Sequence, residues 1–151
     1  MLRRTLAHYL LLQVETFIAG AGLGAVGPAM DILASKSAEL KVQAIREKGQ
    51  ATASDAADAL SQNLAESMGE TFDSDYSVKN GDSSRTVTLT RCGCIESILA
   101  SAEPYGLTGP EVRSIFCGSC TQSYRKAAST LGLGFKGRLS REGCVMSFHT
   151  K

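Results

Sequence analysis

The sequence contains no tryptophan, and aromatic residues make up only 6% of its 151 positions. Proteins that bind single-stranded nucleic acid stack the bases on aromatic side chains, and most nucleic-acid binders carry a strongly basic surface. The formal net charge is only +1. With both signals missing, we expect no nucleic-acid partner.

Long apolar runs are also missing. No stretch approaches the roughly 18 uninterrupted apolar residues that indicate a transmembrane helix. The first residues faintly resemble a secretory signal, but Gln13 and Glu15 interrupt the apolar region. We therefore expect no membrane partner and a cytoplasmic protein with reduced cysteines.

The remaining composition is that of a globular domain, with 43% hydrophobic and 21% charged residues. The length predicts one domain over residues 1–151. The chain divides by its periodicity into a helical part, 1–69, and a mixed αβ part, 70–149.

Three helices are predicted in the helical part. A glycine-rich break at 20–24 separates the first two helices, and Thr52–Asp55 forms a capping box at the start of the third. The second helix is predicted to run from Pro28 to Lys48. Its inward face is predicted to carry Leu33, Leu40 and Ala44.

The αβ part begins with two-residue alternation over 72–78 and 86–90, which indicates a hairpin around Asn80–Gly81. Two more short strands are predicted at 135–139 and 144–148. Two helices lie between the hairpins, the second with a capping box at Thr108–Glu111. The predicted fold class is α+β, with N-terminal helices packed on a small antiparallel sheet.

All five cysteines lie between positions 92 and 144: Cys92, Cys94, Cys117, Cys120 and Cys144. An odd number fits a closed disulfide framework poorly. Cys117 and Cys120 are three residues apart on a predicted helix, so their side chains share one surface. In the last strand, Cys144 is predicted to share the inward face with Met146 and Phe148.

A metal site is the leading interpretation of these thiols. Tetrahedral Zn²⁺ takes four ligands, and the predicted set is Cys94, Cys117, Cys120 and Cys144. A [4Fe–4S] cluster uses the same four thiolates and is the alternative cofactor. Cys92 and Cys94 are predicted to point to opposite faces of an extended segment, so Cys92 replaces Cys94 as a ligand if Cys92 faces the site. His149 is a reserve ligand.

Two other interpretations of the thiols stay open. Unpaired cysteines are often buried and behave as small hydrophobic residues, or form a redox pair. A nucleophilic pair of Cys144 with His149 is a further alternative.

The C-terminal region, residues 70–149, resembles the V4R (4-vinyl reductase) domain. The resemblance rests on the order hairpin, cysteine, helix, C-x-x-C helix and strand, and on the final Gly143–Phe148 segment. This segment is also similar to the L-2-amino-thiazoline-4-carboxylic acid hydrolase-like proteins. The V4R resemblance implies a helix ligand at Cys120 or Cys117 and strand ligands at Glu142 or Cys144.

The resemblance implies a cysteine-metal-containing sensor that binds a small hydrophobic or aromatic molecule. The alternative function is a hydrolase of the thiazoline-carboxylate type, or another thiol- or metal-dependent enzyme, and a plain interaction protein is the third alternative. We expect the ligand in an apolar pocket between the helices and the sheet, and we expect a homodimer. Residues predicted to face that interior include Leu60, Leu64, Met68, Phe72, Tyr76, Val87 and Leu89.

Overall fold

The computed structural model of the chain describes residues 2–49 and 52–150, with side chains from Arg4 onward. The helices are α1 (Leu2–Ala21), α2 (Val26–Glu47), α3 (Ala53–Glu66), α4 (Gly93–Leu99), α5 (Gly109–Val112) and α6 (Gly118–Thr130). Two π-helical segments, Ser67–Thr71 and Arg113–Cys117, extend α3 and join α5 to α6.

Four strands form one antiparallel sheet: β1 (Asp75–Asn80), β2 (Ser84–Arg91), β3 (Gly134–Leu139) and β4 (Cys144–His149). Their order in the sheet is β1-β2-β4-β3, so the N-terminal and C-terminal hairpins pair through β2 and β4. This arrangement confirms the α+β fold class. Both predicted capping boxes are formed, at Thr52–Asp55 and at Thr108–Glu111.

The larger of two hydrophobic cores lies between α2, α3, α6 and the sheet. On β4 the predicted inward face is confirmed, because Cys144, Met146 and Phe148 are all buried. The Phe148 ring contacts the rings of Tyr124 and Phe135 at centroid distances of 6.1 and 5.7 Å. Burial of such large side chains supplies most of the stabilisation of a domain this size.

The smaller core joins α1 to α4 and to the end of α5. Leu11 of α1 packs there with Ile95 and Ile98 of α4 and with Val112 of α5. The two cores meet at Cys92, which packs against both. The thiol region therefore lies at the junction of the helical part and the sheet.

A sharp bend separates α1 from α2. The turn begins at Gly22, whose φ of 82° is in the left-handed region that glycine adopts without strain. Within the described residues, no single helix is long and apolar enough to span a membrane. Only the pair Arg4–Ala21 and Leu23–Glu47 meets both criteria together, and it is bent by 118°.

The predicted inward face of α2 was wrong. Leu33 and Leu40 are 56% and 67% exposed, and Ala44 is exposed as well. The buried residues of α2 are instead Val26, Ala34, Ala38, Val42 and Ile45. Small residues at 34 and 38 let α2 approach α6 closely, and the leucines are left on the side that faces α1.

The edge strand β1 also departs from the prediction. Tyr76 and Val78 pair with Leu89 and Val87 and so share the inward face of the sheet. They are nevertheless 46% and 44% exposed. The helix α3 packs mainly on β2 and less on β1, so the side chains of this edge strand stay partly exposed.

Candidate functional site

The fold brings the cysteine-bearing segments together at one end of the sheet. Leu89 near the end of β2 pairs with Cys144, the first residue of β4. Just beyond, the Cys92 amide donates to the Glu142 carbonyl oxygen at 2.8 Å. Cys120 and Cys144 belong to the larger core, Cys94 and Cys117 pack against the smaller one, and Cys92 packs against both, so a single site for the four predicted ligands stays a prediction.

The prediction that Cys92 and Cys94 point to opposite faces was wrong, because residues two apart in an extended segment share a face and this segment is not extended throughout. Cys92 is extended, with φ −105° and ψ 102°, but α4 begins at the next residue. Cys94 therefore lies in the first helical turn. Cys94 lies near enough to Cys92, Cys120 and Cys117 for charge on these thiols to raise its pKa, and the choice between Cys92 and Cys94 as the ligand stays a prediction.

Burial raises the pKa of all four predicted ligand thiols. The pKa of Cys117 is raised to about 11, and the pKa values of Cys120 and Cys144 are raised to about 12. The pKa of Cys94 rises further. Neighbouring thiolates add to each rise because like charges repel in a poorly solvated site. Without a bound cation, these thiols are protonated at neutral pH.

The thiols have the chemistry that Zn²⁺ or an iron–sulfur cluster prefers. Their spacing does not complete a site. Across residues 2–49 and 52–150, no three His, Cys, Asp or Glu side chains are placed to hold a metal ion. Metal binding therefore requires side-chain rearrangement, and both cofactor predictions stay predictions.

His149 does not lie near the thiols. It ends β4, five residues from Cys144, and each strand residue spans about 3.3 Å, which separates the two by roughly 16 Å. Its Nε2 is buried without a hydrogen-bond partner, and its backbone neighbours are Ser84 and Gly134. The predicted reserve ligand and the Cys144–His149 pair are both wrong for this fold. Glu142 is exposed in the β3–β4 turn.

A large open groove runs beside the thiol cluster. It has a volume of about 1590 Å³ and lies between α1, α2 and α6, with the end of α3 at one side. Cys120 lines it, together with exposed apolar residues that include Leu12, Phe17, Leu33 and Leu40.

The groove is not where the pocket was predicted. The space between the helices and the sheet is filled: Leu60 and Leu64 of α3 and Val87 and Leu89 of β2 are at most 3% exposed. Alanines on α3 allow the helix to approach the sheet. Small side chains thus bring the layers together instead of leaving a gap.

A polar cluster interrupts the apolar lining. Lys41 Nζ donates to Ser37 Oγ at 2.6 Å and to Ser123 Oγ at 2.9 Å. Ser123 Oγ in turn donates to Ser37 Oγ at 3.0 Å. The ammonium also lies 4.7 Å from the centroid of the Tyr124 ring, and the Tyr124 hydroxyl donates to Asn63 Oδ1 at 2.8 Å. Burial lowers the pKa of Lys41, and the nearby Cys120 thiolate opposes that change.

This cluster was not among the predicted sites. A signal for it was present, because Met30, Leu33, Ser37, Lys41 and Ala44 recur at three- and four-residue spacing on α2. One lysine and one serine on an otherwise apolar stripe indicate a polar site within an apolar surface. The contribution of Ser123 had no comparable signal, since its contact with α2 depends on tertiary packing.

No protein-family model and no curated protein matches the chain. Among solved structures, the chain is similar to a trafficking protein particle complex subunit 3 from Naegleria fowleri, which was solved covalently bound to palmitic acid. The TM-score is 0.54 at 8% identity, and the match covers 99% of this chain and 95% of the other. Identity this low shows a shared fold alone. The V4R resemblance stays a prediction.

Proposed function

We propose that this protein binds a small hydrophobic or aromatic molecule in the groove between α1, α2 and α6, as a ligand-binding or sensor protein of the V4R type. The observation that carries the proposal is the groove itself. Its volume of about 1590 Å³ is large enough for such a molecule, because most small-molecule pockets measure roughly 300–1,000 Å³. Leu12, Phe17, Leu33 and Leu40 line it and stay between 42% and 67% exposed.

The structural neighbour supports the same class of ligand. It carries palmitic acid, a long apolar chain, on a fold that matches nearly the whole of this chain. This likeness does not identify the ligand of the present chain. The comparison supports only the proposal that this architecture can accommodate an apolar guest.

The proposal is tested with 1-dodecanol and 1-naphthol as probes, by thermal shift and by titration calorimetry. A ligand at 100 times its Kd adds about 2.7 kcal/mol to the free energy of unfolding, which raises Tm by about 5–10 °C for a chain of this size. Leu33→Gln should weaken binding about tenfold, because it places an amide against the apolar guest.

The matched control is Leu139→Gln, at an exposed leucine on β3 outside the groove. This variant should bind like the wild type. If neither probe raises Tm, or if the two variants bind equally well, the groove is not the binding site.

A hydrolase, including one of the L-2-amino-thiazoline-4-carboxylic acid hydrolase type, is the second candidate. One observation favours it: Lys41, whose pKa is lowered by burial, lies within hydrogen-bond distance of Ser37 and Ser123. A lysine beside a serine can act as the base that generates a nucleophile. Turnover of a thiazoline carboxylate or an ester, abolished by Ser37→Ala or Ser123→Ala, would make this the function.

Two further elements belong to the proposal. One is a zinc ion or a [4Fe–4S] cluster held by Cys94, Cys117, Cys120 and Cys144, for which the donor chemistry is suitable. The other is a homodimer.

A further inference from the structure

The geometry points to an anionic amphiphile as the ligand. We infer that Lys41 and Ser37 bind its carboxylate and that its apolar chain lies along α2 towards Leu33 and Phe17. This inference rests on the proposed function, because it names the class of molecule that the groove accepts.

The charge of the groove is the first argument. Lys41 is the one charged residue that lines it in the described part of the chain. None of the carboxylates described there pairs with Lys41, whereas Lys126 and Lys36 pair with Asp31 and Glu39. A half-buried cation without a counter-ion in an apolar surface is costly. A bound anion would remove that cost.

The unused hydrogen-bond donors are the second argument. An ammonium group has three protons, and Lys41 uses two of them on Ser37 and Ser123. Ser37 accepts from both partners, and its own hydroxyl proton has no acceptor among the described residues. The cluster therefore presents two unused protons on adjacent atoms. A carboxylate supplies two acceptor oxygens and suits this pair.

The dimensions of the groove are the third argument. Along α2 its lining runs from Val26 to Ala44, and Lys41 lies near the C-terminal end of this span. From Lys41 to Pro28 there are 13 residues, which at 1.5 Å per residue is about 20 Å of apolar wall. A head group at Lys41 thus leaves room for a long chain in one direction.

Cys120 also lines the groove and lies near the Lys41 charge, so a covalent thioester is the alternative to reversible binding. Acyl transfer to cysteine requires the thiolate. A free carboxylate has no good leaving group, so a thioester would also need an activated acyl donor. Reversible binding of the carboxylate is therefore the inference.

The test compares dodecanoic acid with 1-dodecanol, which has the same chain and no charge, by calorimetry at pH 7.5. We expect the wild-type protein to bind the acid at least tenfold more tightly than the alcohol. Lys41→Met should abolish that preference and leave the Kd for the alcohol within about twofold. Lys41→Arg keeps the charge and should keep a preference for the acid.

The outcomes separate the two proposals. If the acid and the alcohol bind equally well to the wild type, or if Lys41→Met keeps the preference, the inference is overturned and the groove function stands. If neither probe binds, the groove function fails and the inference falls with it. Binding of the alcohol to Lys41→Met also shows that this variant is folded. An unchanged intact mass after binding supports reversible binding, and an acyl adduct on Cys120 overturns it.

Discussion

At the scale of single residues, the buried thiols make stability depend on pH. The pKa of Cys144 is about 12 in the folded protein, against about 8.5 in an unfolded chain. The unfolded chain therefore ionises first. The stabilisation is complete below about pH 8.5 and is lost as the pH rises towards 12.

The prediction is that the free energy of unfolding, measured with urea under reducing conditions, falls between pH 7.5 and pH 9.5. Cys144 alone should account for about 1 kcal/mol of that fall. The Cys144→Ala variant lacks this titrating group. Its free energy of unfolding should therefore fall by about 1 kcal/mol less than that of the wild type over the same pH interval. Identical slopes for the variant and the wild type would contradict the raised pKa of this thiol.

A bound zinc ion would reverse the sign of this dependence. Zinc binds thiolates, so protons compete with it and stability is lost on the acid side. If purified protein carries about one zinc per chain, its stability should fall below about pH 6, and Cys117→Ser and Cys120→Ser should lose the metal. The metal site would be rejected if the purified protein carried less than about a tenth of an equivalent of zinc or iron and lost stability only at alkaline pH.

At the scale of elements, Gly93 sets how β2 turns into α4 beside the thiols. A Cβ at this position would lie well inside contact distance of the Phe72 carbonyl oxygen. The Gly93 amide also donates to the buried Ser74 hydroxyl at 3.0 Å. The junction between β2 and α4 therefore packs directly against the Phe72 backbone, which cannot move aside as a flexible side chain would.

Gly93→Ala should lower the free energy of unfolding by about 3 kcal/mol or more, because the clash forces a backbone shift. The matched control is Gly118→Ala in α6, where nothing lies within 4 Å of the added carbon and φ is −59°. That change should stabilise the protein by about 0.5–1 kcal/mol through helix propensity. Thermal unfolding of both variants measures the difference, and equal effects would show that the junction is not tight.

The elements that were predicted from sequence depend on local chemistry. The capping boxes at Thr52 and Thr108 and the turn after Asn80 each need only a few neighbouring residues, and all three are present. The orientation of α2 was missed because both of its faces carry apolar residues. Tertiary packing selected the face with small residues at Ala34 and Ala38 for the core. No periodicity within α2 alone could make that choice.

The candidate site divides in the same way. The thiols were identified because five cysteines between positions 92 and 144 are unusual in composition. The position of the groove was predicted wrongly because it depends on the angle between α1 and α2 at the bend near Gly22. Sequence spacing does not encode that angle. The contact of Ser123 with Lys41, from residues 82 positions apart, is of the same kind.

At the scale of the whole molecule, exposed apolar side chains flank the groove. Leu12 on α1 is 51% exposed and Ile32 on α2 is 64% exposed, on either side of the groove. Exposed apolar side chains that cluster in this way are typical of association sites. A second copy of the chain laid across α1 and α2 would cover the mouth of the groove and shield the ligand.

We therefore predict a homodimer of about 32 kDa, twice the 15.9 kDa of one chain, by sedimentation velocity at micromolar concentration. Leu12→Glu places a charge in the proposed interface and should give monomers, because an unpaired charge there loses its hydration on association. Tyr76→Glu, on the exposed edge strand β1 away from α1 and α2, should leave the dimer unchanged. A wild-type protein that sediments as a monomer, both alone and with dodecanoic acid, would exclude the second copy, and the groove would then open to solvent in the functional protein.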